Sequence, residues 1–138
     1  MVTLYADTSA LAKLIRPEVE STALATFLAG GNDWGEAPEL ISSDLTTVEL
    51  HRAARREGSI SPAEVDAVLS QVYSLRLRPE IISLASEVEP VQLRTLDALH
   101  LASALRAHCD MVAYDQRSIQ AARAAGLTVY SPGMTTSQ

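Results

Sequence analysis

The sequence predicts an α/β fold in which a parallel sheet of four or five strands is covered by helices on both faces. Short apolar runs rich in β-branched and aromatic residues alternate along the chain with segments of helical periodicity, which is the pattern of strand–helix–strand units. The chain has 138 residues, of which 47% are hydrophobic and 20% are charged, an ordinary mixture for one globular domain. In folds of this class, functional residues gather at the carboxyl ends of the strands.

The chain opens with a predicted strand and two predicted helices. An apolar run over residues 2–6 indicates the strand, and three residues that can cap a helix follow it: Asp7, Thr8 and Ser9. The first helix is predicted over residues 10–15. The second helix ends at a pair of glycines, and its apolar face is formed by Leu24, Phe27 and Leu28.

A loop over residues 30–38 connects this helix to a second predicted strand at residues 40–42. The loop contains the only tryptophan of the chain, Trp34. Its side chain could stack on a base or a partner. An aromatic residue in a long loop more often packs against its own domain, and we expect that arrangement here.

Residues 44–73 predict a helical hairpin. The first arm covers residues 44–56 and is closed by Gly58. The second arm begins at Ser61, which can form a capping box with Glu64 and is followed by a proline at the first helical position. An apolar stripe on the second arm is suited to pack against the domain or a partner, and it consists of Val65, Val68, Leu69, Val72 and Tyr73.

The second half of the chain continues the alternation of strands and helices. In chain order, the predictions are a strand at 75–77, helices over 80–88 and 96–107, a strand at 111–114, a helix over 116–125 and a strand at 127–130. The helix over 96–107 is apolar almost all round, so we expect it to be buried. We predict that the domain covers residues 1–133 and that residues 134–138 form a flexible tail.

Four acidic residues occupy positions that a parallel sheet would bring towards one edge: Asp7, Glu49, Asp97 and Asp115. Two of them follow strands directly, and Asp97 begins the helix predicted to be buried, where an unpaired carboxylate would be costly. Converging carboxylates repel one another, and their hard oxygen atoms suit Mg²⁺ or Mn²⁺. Such ions can activate water against a phosphodiester. Helix capping, the helix dipole or a solvated surface position could also account for each acid taken alone.

The charge balance is acidic, with a formal net charge of -6, which argues against broad electrostatic capture of nucleic acid. Bound divalent cations would invert the local charge. The candidates for contacts with RNA phosphates are Arg52, Arg55, Arg56, Arg94 and Arg117, although each could instead be an ordinary surface arginine. A single cysteine and no leader or membrane-span pattern lead us to expect a cytoplasmic protein.

Four sequence blocks resemble PIN domains and follow in that family's order. They are LYADTSAL at 4–11, SSDLTTVEL at 42–50, RTLDALHLASAL at 94–105 and VAYDQRSIQAARAAG at 112–126. The resemblance implies a PIN-like three-layer sandwich with a metal site formed by Asp7, Glu49, Asp97 and Asp115, supported by Ser9 and Thr8. The chain departs from the family's pattern at Ala113, where members often have a threonine that supports the last acid.

The small size further resembles VapC-type toxins of type II toxin–antitoxin systems. This resemblance implies a Mg²⁺- or Mn²⁺-dependent endoribonuclease that forms a homodimer and is neutralised by a small antitoxin, which the helical hairpin helps to bind. A phosphoaspartate phosphatase or receiver domain is the first alternative, but it would need a lysine near a late strand, and the only lysine is Lys13. The second alternative is a noncatalytic RNA-binding PIN-like domain. The four acids argue against it, because a protein that only binds RNA phosphates would favour fewer negative charges.

Overall fold

The computed structural model describes residues 1–135, and the part of the chain it describes contains five strands and seven helices. The strands are β1 (Thr3–Ala6), β2 (Glu39–Ser43), β3 (Tyr73–Leu75), β4 (Asp110–Val112) and β5 (Val129–Tyr130). The helices are α1 (Thr8–Ala12), α2 (Ser21–Leu28), α3 (Asp44–Glu57), α4 (Pro62–Leu69), α5 (Pro79–Ala85), α6 (Thr95–Arg106) and α7 (Gln116–Ala124). Every predicted element is present, and the order along the chain is confirmed.

The five strands form one parallel sheet in the order β3-β2-β1-β4-β5. β1 lies in the centre, where Tyr5 is in register with Ile41 of β2 and Met111 of β4. Because all neighbouring strands run in the same direction, their carboxyl ends meet at one edge of the sheet. The predicted parallel sheet is therefore confirmed.

Two apolar layers cover the sheet, one on each face. Side chains alternate along β1, so Tyr5 packs in one layer and Leu4 in the other. The Tyr5 layer includes Leu101 of α6 and Ile119 of α7, whereas the Leu4 layer is built from helices α1 to α4. The result is the three-layer helix–sheet–helix arrangement that the sequence predicts.

The structure corrects two local predictions. Tyr73 does not continue the apolar stripe of α4, because that helix ends at Leu69 and Tyr73 pairs with Ile41 as the first residue of β3. Its side chain is 73% exposed at the edge of the sheet. The helix α6 is buried through its middle but not all round, since Leu96 in its first turn is 45% exposed.

The loop before β2 is closed by a small aromatic cluster. The ring of Trp34 makes edge-on contacts with Phe27 and Tyr130, at centroid distances of 5.7 and 5.2 Å. The prediction that Trp34 packs against its own domain is confirmed. An aromatic cluster of this kind joins the end of α2 to the edge strand β5 by apolar contact alone.

The end of the chain is described only as far as residue 135. Met134 packs against the Tyr5 layer and donates its backbone N–H to the carbonyl of Ser131. The remainder of the predicted tail over 134–138 lies outside the described residues. Within residues 1–135, no helix is long and apolar enough to cross a membrane.

The capping box of α4 should make a measurable contribution to stability. The Ser61 hydroxyl accepts the backbone N–H of Glu64, and the Glu64 carboxylate accepts the backbone N–H of Ser61. We expect Ser61→Ala to lower the free energy of unfolding by about 1 kcal/mol in urea titrations. Ser70→Ala at the other end of the helix is the matched control and should change it by less than about 0.5 kcal/mol. Equal effects would contradict a specific cap.

Candidate active site

The carboxyl edge of the sheet brings the predicted acidic residues into one neighbourhood. Asp7 follows β1 directly, and Asp115 follows β4 after two residues. Glu49 is carried by α3 and Asp97 by the first turn of α6. The charge of Asp97 contributes to raising the pKa of Asp7, and the charges of Asp97, Asp115 and Glu49 all contribute to raising the pKa of Arg94. Electrostatic interactions therefore link the four positions.

Asp7 is the buried member of the group, with 4% of its surface exposed. Its Oδ1 caps α1 by accepting the backbone N–H of Ala10 at 3.1 Å, and it also accepts the hydroxyl of Ser9 at 2.6 Å. The Ser9 hydroxyl oxygen in turn accepts the backbone N–H of Tyr114 at 3.0 Å, which ties the end of β1 to the segment after β4. Burial raises the pKa of Asp7, and the hydrogen bond from Ser9 offsets this only in part.

Glu49 is held by contacts from two other elements. Its Oε1 accepts the hydroxyl of Thr8 at 2.7 Å and lies 2.7 Å from Nε2 of His100. Burial alone would raise the pKa of Glu49. The hydrogen bonds from His100 and Thr8 outweigh burial, and the pKa lies below its usual value. Glu49 is therefore ionised at neutral pH.

Asp97 differs from the sequence-based expectation. It is not a buried, unpaired carboxylate, because its side chain is 17% exposed and accepts the Nε–H of Arg94 at 3.0 Å. The pair forms because residues three apart in the first turn of a helix face the same side. The pKa of Arg94 is raised first by this hydrogen bond and further by the charges of Asp115 and Glu49. Arg94 is thus the internal counter-ion of the acidic group.

In each of the four acids, one carboxylate oxygen accepts all of the hydrogen bonds that the carboxylate forms with residues 1–135. These are Oδ1 of Asp7, Oε1 of Glu49, Oδ2 of Asp97 and Oδ2 of Asp115, which caps α7 through the backbone N–H of Ser118. The second oxygen of each carboxylate stays available as a hard ligand. Among the same residues no three His, Cys, Asp or Glu side chains form a ready-made metal cage. The donor chemistry of these carboxylates suits Mg²⁺ or Mn²⁺.

His100 is a residue that the sequence analysis did not assign to the site. It is 3% exposed, and its ring contacts Glu49. A signal for this role existed in the sequence. His100 lies three residues after Asp97 and so shares its face of α6.

The arginines predicted as possible RNA ligands fall into different surroundings. Arg52, Arg55 and Arg56 line a surface cavity of about 280 Å³ on α3. Arg117 is exposed in the first turn of α7. Arg94 is engaged with Asp97, as described above. Of the arginines predicted as RNA ligands, the three on α3 are therefore the ones that line a common cavity.

Lys13 is occupied by other partners. Its ammonium group lies 2.6 Å from Glu18 and 3.0 Å from Glu20, and it is 4.7 Å above the centre of the Tyr114 ring. As the chain has no other lysine, a phosphoaspartate site at Asp7 would lack the lysine such chemistry uses.

Comparison with known proteins identifies the family. The PIN domain model matches residues 4–125, which is most of the chain. The chain belongs to the PIN domain family. Its sequence blocks around the four acids are therefore those of a PIN domain, and the resemblance seen in the sequence is confirmed.

Two relatives of this PIN domain are similar over almost their whole length. Ribonuclease VapC35 of Mycobacterium tuberculosis (strain ATCC 25618 / H37Rv) is 40% identical over 137 residues, covering 94% of this chain and 97% of the relative. Ribonuclease VapC47 of Mycobacterium tuberculosis (strain CDC 1551 / Oshkosh) is 37% identical over 134 residues, with the same two coverages.

Solved structures share the fold at low sequence identity. A toxin–antitoxin complex from Klebsiella pneumoniae superposes with a TM-score of 0.67 at 18% identity, covering 94% of this chain and 97% of the other. The sarcin-ricin loop cleaving toxin VapC20 of Mycobacterium tuberculosis gives a TM-score of 0.67 at 17% identity, with coverages of 91% and 96%. These structures support the PIN-like sheet and its flanking helices.

Proposed function

We propose that this PIN domain is a metal-dependent endoribonuclease that hydrolyses RNA phosphodiester bonds. The observation that carries the proposal is the acidic edge of the sheet, where four carboxylates each keep one oxygen free of recorded hydrogen bonds among residues 1–135. The relatives named ribonuclease VapC, at 37% and 40% identity, support the same activity.

The four acids are assigned to the metal. Asp7, Glu49, Asp97 and Asp115 would hold Mg²⁺, or Mn²⁺ in its place. When bound, such an ion would supply the chemistry of an activated water and a positive charge near the phosphate. Ser9 positions the Asp7 carboxylate, and Thr8 does the same for Glu49. Ion binding would also relieve the energetic cost of the buried Asp7 charge.

We further propose that the enzyme acts as the toxin of a toxin–antitoxin pair in the cytoplasm, where it forms a homodimer. The toxin–antitoxin complex from Klebsiella pneumoniae, which has the same fold, supports a small antitoxin as partner. The hairpin of α3 and α4 is the surface assigned to that antitoxin. Expression alone should be toxic, the neighbouring gene should relieve the toxicity, and light scattering should give a dimer mass. A nontoxic protein that stays monomeric at high micromolar concentration would contradict this part.

Cleavage of a mixed RNA pool tests the activity directly. Purified protein should cut RNA with Mg²⁺ or Mn²⁺ and lose the activity in EDTA. RNA binding without cleavage under all three conditions would favour a noncatalytic PIN-like domain. No binding and no cleavage would contradict both functions.

The arginine patch on α3 should bind RNA phosphates. Arg52 lies three residues after Glu49, hence one turn along the same helix face. With cleavage blocked by Asp7→Asn, the triple substitution Arg52→Gln, Arg55→Gln and Arg56→Gln should lower the slope of log affinity against log salt by about 2, the value for three single-strand phosphate contacts. Fluorescence titration of labelled RNA at several salt concentrations measures it.

A triple substitution at three other arginines is the control that removes the same net charge. Arg76, Arg78 and Arg106 line a separate cavity between β3 and α6. Their replacement by glutamine removes the same charge and should leave the salt slope almost unchanged. An equal decrease of the salt slope in both triple variants would show a general effect of net charge and would contradict a localised patch.

A further inference from the structure

His100 lies in the middle of a hydrogen-bond chain that runs from the core to Glu49. Its Nδ1 is 2.7 Å from the hydroxyl oxygen of Tyr5, and its Nε2 is 2.7 Å from Oε1 of Glu49. Tyr5 is on the central strand and is fully buried, and His100 is almost so. The chain therefore connects a rigid part of the core to one acid of the site.

The partners determine which ring nitrogen carries the hydrogen. A carboxylate oxygen only accepts, so Nε2 of His100 donates to Glu49. In the neutral ring Nδ1 then accepts, and the Tyr5 hydroxyl donates to it. Rotation of the ring would break both hydrogen bonds.

Thr8 adds a second donor to the same oxygen of Glu49. Its hydroxyl donates to Oε1 at 2.7 Å, and its oxygen also lies 3.2 Å from Nε2 of His100. Both contacts end on Oε1, while Oε2 receives no recorded hydrogen bond within residues 1–135. The arrangement fixes one side of the carboxylate and leaves the other side available.

We propose that His100 is a positioning residue that holds Glu49 in the orientation required for divalent metal binding. The inference rests on the proposed function, because it concerns the same metal site. Partners that orient a metal ligand in this way commonly change metal affinity by about 10-fold to 100-fold when they are lost. His100 does not itself bind the metal; it acts through Oε1 of Glu49.

Two amide substitutions separate this role from simple packing. In His100→Gln the side-chain amide nitrogen reaches the place of Nε2 and keeps a donor for Glu49. In His100→Asn the shorter amide reaches only the place of Nδ1 and keeps a partner for Tyr5. Calorimetric titration with MnCl₂ should show an affinity about 10-fold to 100-fold below the parent for His100→Asn. His100→Gln should lose much less affinity than His100→Asn, because it keeps the donor to Glu49.

A double-mutant cycle tests whether the effect of His100 on metal affinity depends on Glu49. In a Glu49→Gln background, His100→Asn should no longer change Mn²⁺ affinity, because the ligand it positions is gone. Equal affinity of His100→Asn and the parent would overturn the proposal. So would equal losses in both amide variants, or a loss that persists in the Glu49→Gln background, since packing alone would produce these results.

Tyr5→Phe keeps the test decisive if His100→Asn does not fold. It removes one hydroxyl, retains the ring, and should weaken Mn²⁺ binding in the same direction by a smaller factor. Unchanged affinity in Tyr5→Phe would then overturn the proposal. A parent protein that binds no Mn²⁺ and cuts no RNA would overturn the proposed function together with this inference. If the parent binds Mn²⁺ and cuts RNA, and the variants bind Mn²⁺ as tightly as the parent, the inference alone would be overturned.

Discussion

Asp7→Asn and Asp97→Asn should each reduce RNA cleavage by roughly 1000-fold or more, because a metal ion supplies several kcal/mol of transition-state stabilisation and each 1.36 kcal/mol is tenfold in rate. Both changes remove a charged ligand with almost no change in volume. At Asp7 the asparagine oxygen can still accept the N–H of Ala10 and the hydroxyl of Ser9. Initial rates on a fixed RNA substrate in saturating Mg²⁺ measure the loss.

Asp110→Asn is the matched control for the cleavage experiment. Asp110 begins β4, at the opposite edge of the sheet from Asp7, and its Oδ1 accepts the backbone N–H of Thr128. The same substitution there should leave the rate close to that of the parent. Circular dichroism must show folded protein in every variant. Retained cleavage in both Asp7→Asn and Asp97→Asn would remove these acids from the metal site.

Without metal, the parent should be less stable than Asp7→Asn at neutral pH. Burial raises the pKa of Asp7 in the folded state above its ordinary value of 3.8. The contribution of this carboxyl group to the free energy of unfolding is therefore fully present below pH 3.8. It is lost as the pH rises through the raised pKa of the folded state. In EDTA, the melting temperature of the parent should fall relative to that of Asp7→Asn as the pH rises above 3.8. A pH-independent difference would contradict a buried charge at Asp7.

Mg²⁺ should reverse this order, because it binds the folded acidic group and scarcely the unfolded chain. At 100 times its dissociation constant the ion should stabilise the parent by about 2.7 kcal/mol, or roughly 5–10 °C in melting temperature. Asp7→Asn should gain much less. Asp97→Asn should also respond weakly to Mg²⁺, yet it should not melt higher in EDTA, since Arg94 already compensates the Asp97 charge. Equal Mg²⁺ responses in all three proteins would contradict the metal site.

The sequence predicts the fold well because its signals are local. The capping box at Ser61, the left-handed Gly58 that ends α3, and the apolar spacing in α2 all act over three or four residues. Such patterns are set by the helical repeat and need no knowledge of distant contacts. The order of strands and helices, and with it the parallel sheet, follows from them.

The sequence predicts the boundaries of the short strands less well. β3 lies two residues earlier than predicted, and β5 is only Val129–Tyr130. A strand at the sheet edge begins where its backbone finds a partner, as Tyr73 does opposite Ile41. Register is therefore decided by pairing with the neighbouring strand rather than by composition.

The sequence proposed the four acids as a site, Asp7 and Asp115 because each follows a strand, and the full set because of the resemblance to PIN domains. Their individual states were decided only by tertiary packing. The hydrogen bond between Tyr5 and His100 spans 95 positions of sequence, and those that reach Glu49 span 41 and 51. The packing of the helices on the sheet decides whether Asp7 or Asp97 is buried. It also decides which donors form hydrogen bonds with Glu49. Burial and hydrogen bonding act through space, and no local spacing in the sequence records them.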